Sequence, residues 1–149
     1  MMADINQARQ FLDCLEDDPG LFTFQIFDDK NHKKVIPQIL HGSFEKNRDA
    51  LVHANSQQTA GVFVTVNQTD LKGRRAENVT AIRAYDVDLD DPKKAPLQPV
   101  LEGPLEPHLV VQSSTVGKYH AYWLVNGVPL ESFRVVQTAL LNRKFRGFF

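Results

Sequence analysis

The stretch Arg83-Ala84-Tyr85-Asp86-Val87-Asp88-Leu89-Asp90-Asp91 alternates apolar residues with carboxylates and runs into Pro92. On an extended chain successive side chains point to opposite faces. Ile82, Ala84, Asp86, Asp88 and Asp90 then share one face, and Arg83, Tyr85, Val87 and Leu89 the other. The first face stacks three like charges at i, i+2 and i+4, and burying them costs several kcal/mol per ion unless something neutralises them. A divalent cation is the direct answer. Aspartate oxygens are hard ligands suited to Mg²⁺ or Mn²⁺, and Mg²⁺ takes one or two protein carboxylates and completes its octahedron with water and phosphate oxygens. Asp86, Asp88 and Asp90 are therefore the candidate metal ligands, and the chemistry points to nucleotides. An acidic run before a proline equally describes a solvated strand end. An EF-hand loop is excluded: starting at Asp86, its glycine position holds Asp91 and its twelfth position Leu97.

Working outward, the 149 residues with 42% hydrophobic content suit one domain, 1–149, with a substantial core. The formal net charge is −1, so any nucleic-acid contact must come from local Lys/Arg clusters rather than a global basic field. Cys14, the one cysteine, excludes an internal disulfide and reads as a small core or boundary residue of an amphipathic segment. The N-terminus lacks a basic region followed by an apolar core, and no apolar run approaches the ~20 residues of a membrane span. A cytoplasmic protein without membrane contact is expected.

The chain alternates helices and strands. Asp4 caps a helix carrying Ile5, Ala8, Phe11, Leu12 and Leu15, stopped by Pro19-Gly20. Leu21 to Phe27 reads as a strand, with a turn at 28–31 and a hairpin partner from Lys34 to Leu40, which leaves His32 and His41 at turns. Ser43 caps a helix through about Ser56, with Phe44, Leu51 and Ala54 inward. Gly61 to Asn67 is a further strand, ending on a polar amide. The following loop contains Lys72-Gly73-Arg74-Arg75. A glycine beside three cations predicts a mobile loop that can reach phosphate, since guanidinium forks match phosphate oxygens.

Beyond the acidic stretch, five prolines between Pro92 and Pro107 argue against regular structure. His108 to Gln112 resumes a strand, and Ser113-Ser114-Thr115-Val116-Gly117 turns into another from Lys118 to Asn126. On that strand Lys118, His120, Tyr122 and Leu124 share one face, and Tyr119 and Trp123 occupy the other as core aromatics. Lys118 and His120 beside a turn rich in hydroxyls and N–H groups make an anion site chemically reasonable. A last helix begins near Pro129 and carries Leu130, Phe133, Val136 and Leu140 inward.

In this order, GVFVTVNQTDLKGRRAENVTAIRAYDVDLDD followed by LVVQSSTVGKYHAYWLV resembles the RepB-like primase domain of plasmid and phage replication proteins, a branch of the archaeo-eukaryotic primase–polymerase superfamily. The resemblance runs from about Phe22 to Leu141. It implies an α/β (α+β) fold, an RRM-like core with a central, mainly antiparallel sheet flanked by helices. It also implies a DNA primase or polymerase that uses Mg²⁺ or Mn²⁺ and nucleoside triphosphates on a single-stranded DNA template, with a replicative helicase as a possible companion. The family's carboxylate pair falls on Asp88 and Asp90, with Asp86/Asp88 the other pairing. His120 would contact the phosphates of the incoming nucleotide with Lys118 and Ser114 alongside, and Asn67 and Arg74 match recurrent family positions. Such domains continue into a third acidic motif, and no carboxylate follows Glu131 here, so a chain truncated at its C-terminal end is expected. Two readings of other classes stand beside this one. They are a catalytically incomplete module that binds nucleotide or single-stranded DNA, and a metal-dependent phosphohydrolase using the same carboxylates.

Overall fold

The structure is a computed structural model that describes residues 4–17, 19–28, 35–57, 59–113 and 115–146. The turn expected at 28–31, His32, the start of the second strand at Lys34, and Ser114 lie wholly or partly outside them. The fold is mixed α+β with antiparallel strand pairing throughout, and the strands are divided among three sheets. The chain forms two compact units, Met1–Ala81 and Ile82–Phe149.

In the first unit, helix α1 (Ile5–Leu15) starts where the Asp4 carboxylate accepts the Gln7 N–H at 3.0 Å. Only Leu12 and Leu15 of this helix are buried, and Cys14 is exposed rather than at a core boundary. Strand β1 (Phe22–Asp28) is the centre of a three-stranded sheet, between β2 (Gln38–Gly42) and β3 (Ala60–Val64). His41 therefore sits in a strand opposite Thr23, not at a turn. Helix α2 (Phe44–Ser56) follows, and the Ser43 hydroxyl accepts the Lys46 N–H at 3.3 Å. Phe22, Phe24 and Ile26 alternate onto one buried face of β1, and Leu51 and Ala54 are the buried apolar residues of α2. Two short strands, β4 (Gln68–Thr69) and β5 (Val79–Ala81), close the unit.

In the second unit the acidic stretch forms β6 (Ala84–Leu89), an edge strand of a sheet in the order β6-β8-β7, with β7 spanning Leu109–Gln112 and β8 Tyr119–Leu124. The expected division of faces holds. Val87 and Leu89 are buried with Ala95, Ala121 and Trp123, and Leu97, Val100, Tyr119 and Leu140 pack around them. Each fully buried side chain of this kind contributes about 1.5–3 kcal/mol. The Trp123 indole N–H donates to the Leu105 carbonyl at 3.0 Å, which keeps its one polar atom satisfied inside the core.

The proline-rich connection contains a one-turn helix, α3 (Gln98–Leu101), which sequence reading excluded; Pro99 lies in its first turn, where an N–H has no intrahelical partner anyway. The last helix, α4 (Phe133–Arg146), follows a 3₁₀ turn at Leu130–Ser132. Phe133 stacks on Tyr85 at 5.6 Å and Leu140 reaches the core, while Leu130 and Val136 are exposed rather than inward.

Candidate functional site

Antiparallel pairing of β6 with β8 sets Asp86 opposite Tyr122 and Asp88 opposite His120. All four side chains lie on the face away from the Val87, Leu89 and Trp123 core. They form a patch of two carboxylates, an imidazole and a phenol, Asp86 and His120 half-buried and Asp88 exposed. His120 Nε2 stands 3.8 Å from Asp88 Oδ1, and the imidazole stacks on the Tyr122 ring at 6.5 Å with 16° between the planes.

Two groups of the patch have shifted acidities. Burial raises the Asp86 carboxyl above the ordinary 3.8, and His120 works in the opposite direction. Burial, then the charges of Asp86 and Asp88, push the Tyr122 phenol up to about 12. Tyr122 is thus a hydrogen-bond donor at neutral pH. Sequence reading placed it on this face without giving it a role; the signal was its period-two spacing from His120.

The second missed residue is Gln137. Its Oε1 accepts the Asp86 N–H at 3.3 Å and its Nε2 donates to the Asp86 carbonyl at 2.5 Å, so a side chain of α4 completes the backbone bonding of the edge strand beneath the carboxylate. Phe133, Gln137 and Leu140 follow at helical spacing, which is how one helix holds both Tyr85 and Asp86.

The remaining expected residues are placed differently. Asp90 is exposed and lies just past the end of β6. Asp91 caps its own turn by accepting the N–H groups of Lys93 and Lys94 at 3.0 and 3.3 Å. Lys118 is half-buried and enters β8 from a turn in which the Ser113 N–H donates to the Lys118 carbonyl at 2.9 Å. Gly117 in that turn has φ +84°, and a Cβ there would lie 3.1 Å from Pro92 Cγ, so the turn closes against the residue that follows the acidic run. Asn67 and Arg74 belong to the first unit, and Ser114 lies outside the described residues. Among the described residues no set of three or more His, Cys, Asp or Glu side chains is gathered to hold a metal ion.

The Lys72-Gly73-Arg74-Arg75 loop is laced by hydrogen bonds with Asp70 and Asn78. Asp70 accepts from the Lys72 N–H at 2.9 Å and from the Asn78 amide at 3.2 Å, and Asn78 Oδ1 accepts the Arg75 N–H at 3.1 Å. The Lys72 N–H is the main reason the Asp70 carboxyl titrates below its ordinary 3.8. A Cβ on Gly73 would collide with the Asn78 side-chain amide, so a larger residue there would displace the amide that bonds Asp70 and Arg75. Lys72, Arg74 and Arg75 are exposed on this hydrogen-bonded frame.

No family model, no curated protein and no solved structure matches the chain.

Proposed function

We propose that the patch on β6 and β8 is the nucleotide site of a metal-dependent nucleotidyltransferase of the primase–polymerase type. The observation that carries the reading is the register that puts His120 across from Asp88, with Asp86 two residues along and Tyr122 opposite it. A carboxylate pair for a hard cation and a cationic or donor group for phosphate are the two halves of a metal–triphosphate site.

The donor set fits the ion. Asp86 and Asp88 supply two carboxylates, as many as Mg²⁺ or Mn²⁺ usually takes from a protein, and a nearby cation would favour the ionised form of Asp86 that burial disfavours. Asp90, just beyond the strand, is the other candidate partner of Asp88. When bound, the ion supplies Lewis-acid stabilisation of charge on the phosphoryl oxygens. His120 and Lys118 bind the phosphates of the incoming nucleotide, and Tyr122 donates from a phenol that stays protonated. Gln137 positions the strand. A single-stranded DNA template in the cytoplasm, with or without a helicase, completes the reading. Among the described residues no helix is long and apolar enough to cross a membrane.

Calorimetric titration of a nucleoside triphosphate into this chain, with and without Mn²⁺, tests the proposal. Mn²⁺-dependent affinity is expected, and Asp88→Ala and His120→Ala should each lower it at least tenfold. Wild-type affinity in both variants would remove the site. Binding without template-directed incorporation would leave the binding-module reading, and phosphate release without template the phosphohydrolase reading.

A further inference from the structure

The sheet of the first unit has two unlike faces. Phe22, Phe24 and Ile26 of β1 lie on the buried one. Thr23, Gln25 and Phe27 alternate onto the other, where Gln25 sits in register between Ile39 of β2 and Phe63 of β3. Ile39 is 46% and Phe63 42% exposed. Gly61 stands opposite Phe27 and presents no side chain, and the Phe27 ring lies parallel on Phe63, centroids 4.5 Å apart and planes within 6°. Phe63 of this pair is exposed and Phe27 half-buried, so the stack keeps aromatic surface in contact with water.

The far end of the same face is closed by polar contacts. Thr69 Oγ1 meets Thr23 Oγ1 at 2.6 Å, His41 Nδ1 meets Thr23 Oγ1 at 2.9 Å, and the Leu71 N–H donates to Thr69 Oγ1 at 3.2 Å. The hydrogen-bonded loop with exposed Lys72, Arg74 and Arg75 leaves from Thr69. Four residues of strand, about 13 Å, separate Thr23 from Phe27. One face thus carries an aromatic pair at one end and gives rise to a cationic loop at the other.

We infer that this face binds single-stranded nucleic acid, with bases stacking on Phe63 and Phe27 and the phosphate backbone running towards Lys72, Arg74 and Arg75. Every base has a π-face, so an aromatic platform takes single strands without regard to sequence, and a nearby cationic segment supplies the electrostatic attraction. Charge selects this occupant over an apolar protein partner. The chain is near neutral overall, at −1, while the loop that leaves from the Thr23 end of this face concentrates three exposed cations on a hydrogen-bonded backbone. The inference uses no residue of the nucleotide site and stands if that reading fails.

Fluorescence anisotropy of a labelled oligothymidylate over a range of salt concentrations tests it. Phe63→Ala is expected to weaken binding roughly 5- to 100-fold at every salt concentration without changing the salt slope, and Phe63→Trp to retain or tighten it. Lys72→Gln/Arg74→Gln/Arg75→Gln should reduce the slope of log affinity against log salt by about 2, at about 0.7 per lost phosphate contact. Mn²⁺-dependent nucleotide binding should be unchanged in Phe63→Ala, which separates this site from the other. The inference is overturned by absence of oligonucleotide binding to the wild-type chain, or by unchanged affinity in a folded Phe63→Ala variant. It is also overturned if Phe63→Ala alters only the sedimentation of the protein, which would put a second copy on the face.

Discussion

Each unit gathers polar side chains on a sheet, and the two gatherings differ in kind. In the first unit, Thr23, Thr69 and His41 form a chain of short hydrogen bonds, with buried Asn47 donating to the His41 and Ser43 carbonyls at 3.3 and 3.0 Å. Thr23 is 1% exposed, so this network is part of the core. In the second unit, Asp86, Asp88, His120 and Tyr122 sit at the rim of water, with a carboxyl and a phenol held away from their ordinary acidities. The first arrangement uses its polarity to fix the fold. The second keeps its polarity facing outwards, where it costs some stability and is open to a ligand.

The contrast can be broken most directly by one substitution in each cluster. Thr23→Val keeps the shape but takes from the His41 nitrogen its Thr23 partner and leaves the Thr69 hydroxyl with the Leu71 N–H, and is expected to lower unfolding stability by about 1–3 kcal/mol in urea titrations. Asp88→Asn should change stability by no more than about 0.5 kcal/mol, because the side chain is exposed. Equal losses in the two variants would erase the distinction.

A smaller effect is expected where the second cluster touches its scaffold. Gln137→Leu removes both side-chain bonds to the Asp86 backbone, and a loss of about 1 kcal/mol should follow, since those groups can turn to water. Amide hydrogen exchange at Asp86 should also accelerate. No change in exchange would mean that Gln137 does not hold the strand.

The smallest effect sharpens the comparison through pH. The folded state holds the Asp86 proton to higher pH than the unfolded chain, because burial raises its carboxyl. Its contribution to stability is therefore complete below the ordinary 3.8 and is lost as pH rises through the raised value. Subtracting the profile of Asp86→Asn from that of the wild type isolates this group. A difference that falls with rising pH is expected, and one that rises would reverse the assignment.

How much of this was legible depended on how local the cause was. Alternation from Ile82 to Asp91 contains its own two faces, so the buried Val87 and Leu89 and the outward Asp86 and Asp88 could be read from the chain. Asp4 and Ser43 announced their helices because a cap acts within three residues. The pairing of Asp88 with His120 is non-local, and no pattern within either strand sets that register. Composition misled at the proline-rich connection, since Pro99 sits where a helix tolerates proline. Cys14 lies among buried neighbours in sequence, but α1 buries only the side of Leu12 and Leu15. Tight turn chemistry also hid from composition: Asn78, several residues on, accepts the Arg75 N–H and donates to Asp70 across the loop of three cations and a glycine.

The contact between Gln137 and Asp86 has a consequence for how copies of the protein behave together. An outer strand of a sheet offers its backbone as a template on which another molecule can add a strand, the first step of aggregation. In β6 the amide side chain of Gln137 already occupies both backbone groups of Asp86, and the charged row beside it would place like charges against an arriving copy. A helix glutamine thereby takes one N–H and C=O pair of the carboxylate-bearing edge out of reach of an arriving strand.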